Sequence, residues 1–202
     1  MEGKMNIFLK FAFLSGALLG ILTIGCGTSK EIKSRSLCDK NNVFCETMGA
    51  DKPPQGSAEL LIKAHIKTHL EGALHVEFTK SFHGEPEYPF LLNIDGQAET
   101  WKVAGQKENI PEYDKKGRRN PEGGKGIRYI LEKKIIVAPG PHWIFFGLPG
   151  ENYSQEFAVT LKEDHLNVLE FHPVYSTGRM HGQYFENGIR SYKVFFNGGQ
   201  VR

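Results

Sequence analysis

The chain has 202 residues, of which 40% are hydrophobic, and this is enough for one domain with a substantial core. Its 25 Lys and Arg side chains nearly balance its 23 Asp and Glu side chains, so the formal net charge is only +2. The composition therefore gives no electrostatic reason to propose nucleic acid as a partner.

The N-terminus has the pattern of an export signal. Lys4 and Lys10 precede or adjoin the uncharged run FAFLSGALLGILTI at residues 11–24, and the small residue Gly25 follows it. A basic segment, an apolar segment of this length and a small residue are typical of a cleaved secretory signal peptide. We therefore expect residues 1–25 to be removed on export, so that the mature chain begins at Cys26.

The last residues of this signal, ILTIGC at residues 21–26, resemble the lipobox of bacterial lipoproteins. Ile24, Gly25 and Cys26 match that pattern, whereas Thr23 stands where the family usually has Leu. The resemblance implies that Cys26 is lipidated and that acyl chains such as palmitate hold the protein at a membrane. Gly27, in place of Asp, implies the outer membrane, with the protein facing the periplasm or the cell surface.

Two other interpretations of the N-terminal segment remain open. The uncharged stretch continues to Ser29, which is close to the ~20 residues that a membrane-spanning helix requires, so it is also compatible with an uncleaved membrane anchor. In the second interpretation the segment is a plain secretory signal, and Cys26 has no role in attachment.

Residues 26–57 are predicted to form a flexible tether between the lipid and the folded domain. The segment is polar, contains few large apolar residues and ends just after Pro53-Pro54. Such a composition buries too little surface to offset the entropy lost on ordering. The domain is therefore expected to begin near Ala58.

Two further cysteines lie within the predicted tether, in the stretch SLCDKNNVFCET. Cys38 and Cys45 form an even pair in an exported chain, and six residues separate them. Exported proteins fold under oxidising conditions, so we predict a local disulfide between these two residues. A metal clip is the alternative, but it would need two more ligands nearby.

From Ala58 onward the hydrophobic pattern is that of β-strands. In AELLIKAHIKTHL one face carries Leu60, Ile62, Ala64, Ile66 and Thr68, and the other carries Leu61, Lys63, His65, Lys67 and His69. This alternation has a period of two residues, as in a strand. Further runs of this kind are ALHVEFTK, YPFLLNI, QAETWKV, GIRYILEKKIIV, HWIFFG, SQEFAVTL, HLNVLEFHPVY and QYFENGIRSYKVFF. We predict an all-β fold for residues 58–202, an antiparallel β-sandwich of seven to nine strands.

Two dipeptides predict tight turns between strands. Asp95-Gly96 separates two strand-like runs, and Asn187-Gly188 lies inside the last one. Both dipeptides favour a positive φ at each residue, which the two-residue turns of β-hairpins require. We therefore expect a hairpin at each position.

A long polar interval, residues 104–126, interrupts the succession of strands. It is charged and rich in Gly and Pro, so we predict a long loop, a feature that is uncommon in compact domains unless it is functional or disordered. Its basic residues are candidates for docking an anionic surface or a partner, the alternative being a solvated loop; they are Lys115, Lys116, Arg118 and Arg119.

Aromatic residues are concentrated in the last third of the chain. Most of them are needed to fill the interior of a sandwich. Those of the last predicted hairpin are candidates for an exposed apolar patch that binds a partner protein, namely Tyr184, Tyr192 and Phe196.

The segment IIVAPGPHWIFFGLPGENYSQEFAVTLKEDHLNVLEFHPVY, residues 135–175, resembles PEGA-type and carboxypeptidase-regulatory-like modules, which are transthyretin-type β-sandwiches of bacterial surface proteins. The matching positions, together with the NIDG turn at residues 93–96, are Pro139, Gly140, His142, Ile144, Phe146, Phe157, Val159, Leu161, Leu166 and Val168. The PEGA string itself is missing. Because such modules mostly bind or space other parts, the resemblance implies a non-enzymatic role.

The histidines are the only residues that suggest chemistry. His65, His69 and His75 are close in the sequence and could be imagined as metal ligands, although alternate polar residues are also what an outer strand face carries. His142 is expected to begin a strand and to bond a neighbouring backbone carbonyl. We predict no catalytic residue, no metal site and no cofactor.

These patterns together predict a lipid-anchored cell-envelope protein that acts as a non-enzymatic binding or scaffolding module. One alternative is an accessory lipoprotein of an envelope or secretion complex, which would have a stable protein partner. The other is a small metal-dependent envelope enzyme that would use His65, His69 and His75.

Overall fold

The computed structural model describes residues 29–47, 53–70, 82–178 and 182–201. The predicted leader, the predicted lipidation site Cys26 and the histidine at position 75 lie outside these ranges. In chain order the elements are α1 (Ser29–Arg35), β1 (Phe44–Glu46), β2 (Ala58–Thr68), β3 (Glu87–Ile94), β4 (Gln97–Ile110), β5 (Gly124–Val137), β6 (Gly140–Leu148), β7 (Tyr153–Leu161), β8 (Leu166–Tyr175), β9 (Thr177–Gly178), β10 (Gly182–Gln183), a short 3₁₀ helix (Phe185–Asn187), β11 (Ile189–Phe196) and β12 (Gly199–Gln200).

The predicted all-β fold is confirmed. Nine strands form one continuous sheet in the order β12-β11-β8-β2-β5-β4-β3-β6-β7, and β1 adds to β5 while β9 and β10 pair separately. The sheet is mixed rather than purely antiparallel, because β2 and β8 are parallel. After β2 the chain first forms β3 to β7, and it returns to the free edge of β2 only as β8. The turn residues between consecutive strands do not indicate whether β2 and β8 pair in parallel or antiparallel.

The sheet curls so that its two halves pack face to face. β4 belongs to both halves, since Gln97–Ala104 pairs with β3 and Gly105–Ile110 pairs with β5. Across the interior, the ring of Phe146 on β6 stacks on Phe171 of β8 with 3.9 Å between centroids. The core therefore lies between the halves, as in a sandwich. The alternation predicted for β2 is confirmed, with Leu60, Ile62, Ala64 and Ile66 all buried.

One of the two predicted hairpins is confirmed and the other is wrong. Asp95 and Gly96 have φ values of 50° and 101° and join β3 to β4. Asn187 instead ends the 3₁₀ helix, which the burial of Phe185 holds against the sheet. A tight turn with positive φ at both residues lies ten positions later, at Asn197 and Gly198, between β11 and β12.

The predicted loop at residues 104–126 is much shorter than expected. β4 continues to Ile110 and β5 begins at Gly124, and the two strands pair from Gly105↔Tyr129 to Ile110↔Gly124. Only residues 111–123 remain outside the strands, and even there Tyr113 and Arg119 form an isolated bridge. The exposed positions of this two-stranded extension are mostly charged or polar, which is why its strands resemble a loop in sequence.

Much of the predicted tether is ordered and packed on the sandwich, which corrects the expectation for residues 29–47. Ile32 is the buried residue of α1, and it packs on Leu91 of β3 and Phe145 of β6. The amide of Asn93 donates to the carbonyl of Arg35 (2.8 Å), and β1 pairs with β5. A single apolar side chain in SKEIKSR does not stand out in composition, although it is enough to seat one face of a short helix. No helix among the described residues is long and apolar enough to cross a membrane.

The predicted disulfide is not formed. Cys38 and Cys45 are both free and exposed. Cys45 belongs to β1 and lies opposite Ile136, whereas the segment after Cys38 is held by bonds from the Asp39 and Lys40 amides to the Gly96 carbonyl. Each cysteine is thus positioned by a different part of the sheet. The short separation of six residues in the sequence does not indicate this.

Candidate functional site

The outward side of β5, β2, β8 and β11, which we call the groove face, carries the most varied exposed chemistry of the sandwich. Lys63 on β2 lies opposite Glu132 of β5 and beside Glu170 of β8. The next row places His65 opposite Ile130. Opposite charges thus alternate across three neighbouring strands, and an apolar side chain lies directly beside them.

The centre of this face is a shallow groove of about 230 Å³. Ile130 is 50% exposed there. At the other edge, the ring of His172 packs edge-on against Phe195 with centroids 5.1 Å apart. The residues that line the groove are Lys63, Ala64, His65, Arg128, Ile130, Leu131, Glu132, Glu170, Phe171 and His172. Apolar side chains next to charged ones are common in protein-binding surfaces.

Glu122 contacts two of the residues that line the groove, His65 and Arg128. Its Oε1 lies 3.1 Å from His65 Nε2 and accepts the hydroxyl of Tyr175 at 2.8 Å, and its Oε2 is 3.6 Å from the Arg128 guanidinium. Burial alone would raise the pKa of Glu122, but the bonds from His65 and Tyr175 and the charge of Arg128 outweigh it and lower that pKa. Burial, together with the Glu122 charge, raises the pKa of Tyr175. The carboxylate therefore stays ionised and fixes three strands.

Lys67 belongs to the outward side of β2, yet its side chain is fully buried. Its Nζ donates to the carbonyls of Glu122 (2.7 Å) and Gly124 (2.8 Å) and lies 4.8 Å from the centre of the Phe185 ring. Lys67 Nζ also forms an ion pair with Glu108 Oε1 at 3.1 Å. This contact compensates the lysine charge but is not a hydrogen bond, because the buried Glu108 Oε1 makes none. Lys67 thus ties β2 to residues 122–124 under the cover of the 3₁₀ helix.

A second polar network lies where β2 and β6 end. The Nε2 of His69 and the Nδ1 of His83 are 2.9 Å apart. On its other side, His83 Nε2 lies 2.5 Å from Glu151 Oε1, which also accepts the Tyr88 hydroxyl at 2.9 Å. Burial would raise the pKa of Glu151, but the bond and charge of His83 and the bond from Tyr88 outweigh it and lower that pKa. Burial and the neighbouring Glu151 raise the pKa of Tyr88.

Neither His83 nor Glu151 is indicated as a site residue by the sequence pattern. His83 lies in a turn whose position depends on a bond from the Gly84 amide to Thr68 Oγ1 (3.3 Å). Glu151 directly follows the turn at Pro149-Gly150, after the end of β6. Nothing in the local pattern connects these two turns to the end of β2, so their meeting is a consequence of the curl of the sheet.

The predicted exposed aromatic patch is wrong. Tyr184 and Tyr192 are buried, with 6% and 5% of their surfaces exposed, and Phe196 is partly buried against the core. Tyr192 donates its hydroxyl to the carbonyl of His65 at 2.9 Å, and Tyr184 packs on Phe185. Because the Asn187-Gly188 hairpin does not form, the segment before β11 folds down onto the sheet instead of projecting from it.

The candidate basic residues of the loop are only partly available. Lys115, Lys116 and Arg118 are exposed, whereas the Arg119 guanidinium lies 4.6 Å above the Tyr184 ring. Asp114 compensates the charge of Arg118, whose Nε donates to the carboxylate at 2.8 Å. Bonds from the backbone and side chain of Arg118 lower the pKa of Asp114. The loop therefore presents two lysines and one paired arginine rather than four unpaired cations.

The histidines that the sequence suggests as metal ligands belong to separate hydrogen-bond networks. His65 contacts Glu122, His69 contacts His83, and His75 lies outside the described residues. Within the ranges that the structure describes, no group of three or more His, Cys, Asp or Glu side chains is arranged to hold a metal ion. The carbonyl bond predicted for His142 is confirmed, with Nε2 2.8 Å from the Ala138 oxygen, and its Nδ1 also lies 2.6 Å from Asp95.

Comparison of the chain with protein families, with curated proteins and with solved structures finds no match. The resemblance to PEGA-type modules therefore stays a prediction that rests on residues 93–96 and 135–175 alone.

Proposed function

We propose that this protein is a lipid-anchored component of a bacterial cell envelope that binds another protein through the groove face and catalyses no reaction. The observation that carries the proposal is the groove itself, in which exposed Ile130 lies beside the alternating charges of Lys63, Glu132 and Glu170. Such a surface suits a partner that offers an apolar side chain surrounded by charges of both signs.

The position of α1 supports a short attachment to the membrane. The helix begins at Ser29, three residues after the proposed lipidation site Cys26, and three residues span at most about 10 Å. The Ser29 hydroxyl contacts Asn152, and Ile32 packs on the outer side of β3 and β6. This is the half of the sandwich opposite the groove face, so the anchor and the partner do not compete for one surface.

The same arrangement also fits an accessory lipoprotein of an envelope or secretion complex. In that case the groove face would hold a permanent partner, which would co-purify with the protein. Gly27 after the lipidated cysteine favours the outer membrane in either form of the proposal.

Site-specific photo-crosslinking in living cells tests this function. A photo-reactive amino acid at Ile130, which lines the groove, should give a discrete crosslinked species with an envelope protein. The control is Trp143, another large hydrophobic side chain, which is 61% exposed on the opposite half, where no such species is expected. Adding Lys63→Glu should weaken the Ile130 crosslink because it reverses the central charge of the row. Equal crosslinking from both positions, or none from Ile130, would contradict the proposal.

A further inference from the structure

We propose that His69 and His83 bind a divalent transition-metal ion such as Zn²⁺, a property that goes beyond the proposed function and does not depend on it. His69 follows the end of β2, and His83 lies in the turn that precedes β3. His69 Nε2 and His83 Nδ1 point at the same place, 2.9 Å apart, and the two rings are nearly perpendicular, at 74°. Imidazole nitrogens are common ligands of Zn²⁺, Cu²⁺ and Ni²⁺.

The outer nitrogen of each ring already has the partner that a metal-binding histidine needs. His69 Nδ1 lies 2.9 Å from the carbonyl oxygen of Leu70, and His83 Nε2 lies 2.5 Å from the Glu151 carboxylate. Neither oxygen carries a proton at neutral pH, so each outer nitrogen donates one. Carbonyl and carboxylate acceptors of this kind fix the tautomer and orientation of metal-binding histidines in many proteins.

This arrangement directs the electron pairs of the two inner nitrogens at each other. A hydrogen bond between His69 Nε2 and His83 Nδ1 requires a proton on one of these two nitrogens. A metal ion takes the place of that proton, which is released to solvent, while both nitrogens donate their electron pairs to the metal. The charge of Glu151 then compensates the bound cation.

The spacing is close to what a metal requires. With Zn–N distances of 2.0–2.1 Å, tetrahedral geometry places two ligand nitrogens about 3.3 Å apart. The 2.9 Å pair must therefore open by only about 0.4 Å. Each histidine belongs to a different segment, so a small displacement of the turn around His83 provides this change. The described residues contribute no third ligand.

Zn²⁺ titration of the purified full-length protein, followed by calorimetry and by ¹⁵N chemical shifts of the histidine rings, tests this site. We expect saturation near one equivalent and shifts at His69 Nε2 and His83 Nδ1. His83→Ala should weaken binding at least about tenfold. The control variant His165→Ala removes an exposed histidine elsewhere and should bind Zn²⁺ like the parent protein.

Two further measurements separate a metal site from a purely structural hydrogen bond. Zn²⁺ should raise the melting temperature of the parent protein but not of His83→Ala, since a ligand stabilises only a state that binds it. Glu151→Gln keeps the shape of the outer partner and should weaken binding by about tenfold or more. The inference is wrong if the parent protein and His83→Ala, both folded, bind Zn²⁺ equally, or if neither binds it.

Discussion

Glu122 and Lys67 show how single polar residues connect separate segments of the sandwich. Glu122 lies in the segment between β4 and β5, yet its carboxylate holds His65 of β2 and Tyr175 of β8. Lys67 holds the backbone of the same segment through the carbonyls of Glu122 and Gly124. Gly126 makes this closeness possible, because a Cβ there would lie 2.6 Å from Lys67 Cε.

We predict that Glu122→Gln destabilises the protein by about 1–3 kcal/mol at pH 7, because it removes a charge that accepts several bonds. The pKa of Glu122 is lowered in the folded protein, so this contribution is present above the pKa of the unfolded chain and is lost as the pH falls through the folded value. The groups that face the carboxylate are His65, Tyr175 and Arg128. Urea unfolding at several pH values should show the difference from the parent protein shrinking below about pH 4.

A control for this prediction is Glu156→Gln. Glu156 forms a surface ion pair with Arg35 at 2.9 Å, and both side chains are at least one-third exposed. Such pairs contribute about 0–1 kcal/mol, so the change should be small at every pH. A Glu122→Gln effect that is equally small, or that does not change between pH 7 and pH 3, would contradict the role given to Glu122.

At the scale of elements, the helix α1 depends on its packing rather than on its own stability. Seven residues are too few for an isolated helix to persist in water. The contacts that hold it are the apolar packing of Ile32 on Leu91 and Phe145 and the bond between Asn93 and the Arg35 carbonyl.

We therefore predict that Ile32→Ala releases α1 while the sandwich stays folded. Amide hydrogen exchange of residues 29–36 should become faster by tenfold or more, since the change removes about 2 kcal/mol or more of local packing. Leu37→Ala is the matched control, because Leu37 is 62% exposed and its loss should leave exchange unchanged. Unaltered protection in Ile32→Ala would mean that the polar contacts alone hold the helix.

The elements differ in how far the sequence predicts them. The strand β2 and the Asp95-Gly96 turn follow from the local sequence pattern. In a strand with one buried face, apolar and polar residues alternate. A two-residue hairpin turn requires residues that accept a positive φ, as Asp95 and Gly96 do. The extent of β4 and β5, the helix α1 and the place of Asn187-Gly188 depend on contacts with distant strands. Of the candidate site, His65 and Lys63 were correctly placed on the outward side of β2, whereas the partners of His69 follow from tertiary structure alone.

At the scale of the whole molecule, the two outer faces of the curled sheet carry different features. The side formed by β3 and β6 is partly covered by α1, through which the chain arrives from its N-terminus. The groove face lies on the other half, where the β2–β8 parallel pair brings His172 and Glu170 beside Lys63 and His65. This division gives the proposed membrane attachment and the proposed partner separate surfaces.

The most direct test of the account is the chemical state of Cys26 in cells. Fatty-acid labelling and intact-mass measurement should show that the parent protein has lost residues 1–25 and carries acyl chains on Cys26, and that it is found in the membrane fraction. Cys26→Ser should lose the label and keep the mass of the uncleaved chain. A parent protein without label, with the 22.7 kDa mass of the full 202 residues, would contradict the lipid anchor and indicate attachment through the apolar N-terminal segment instead.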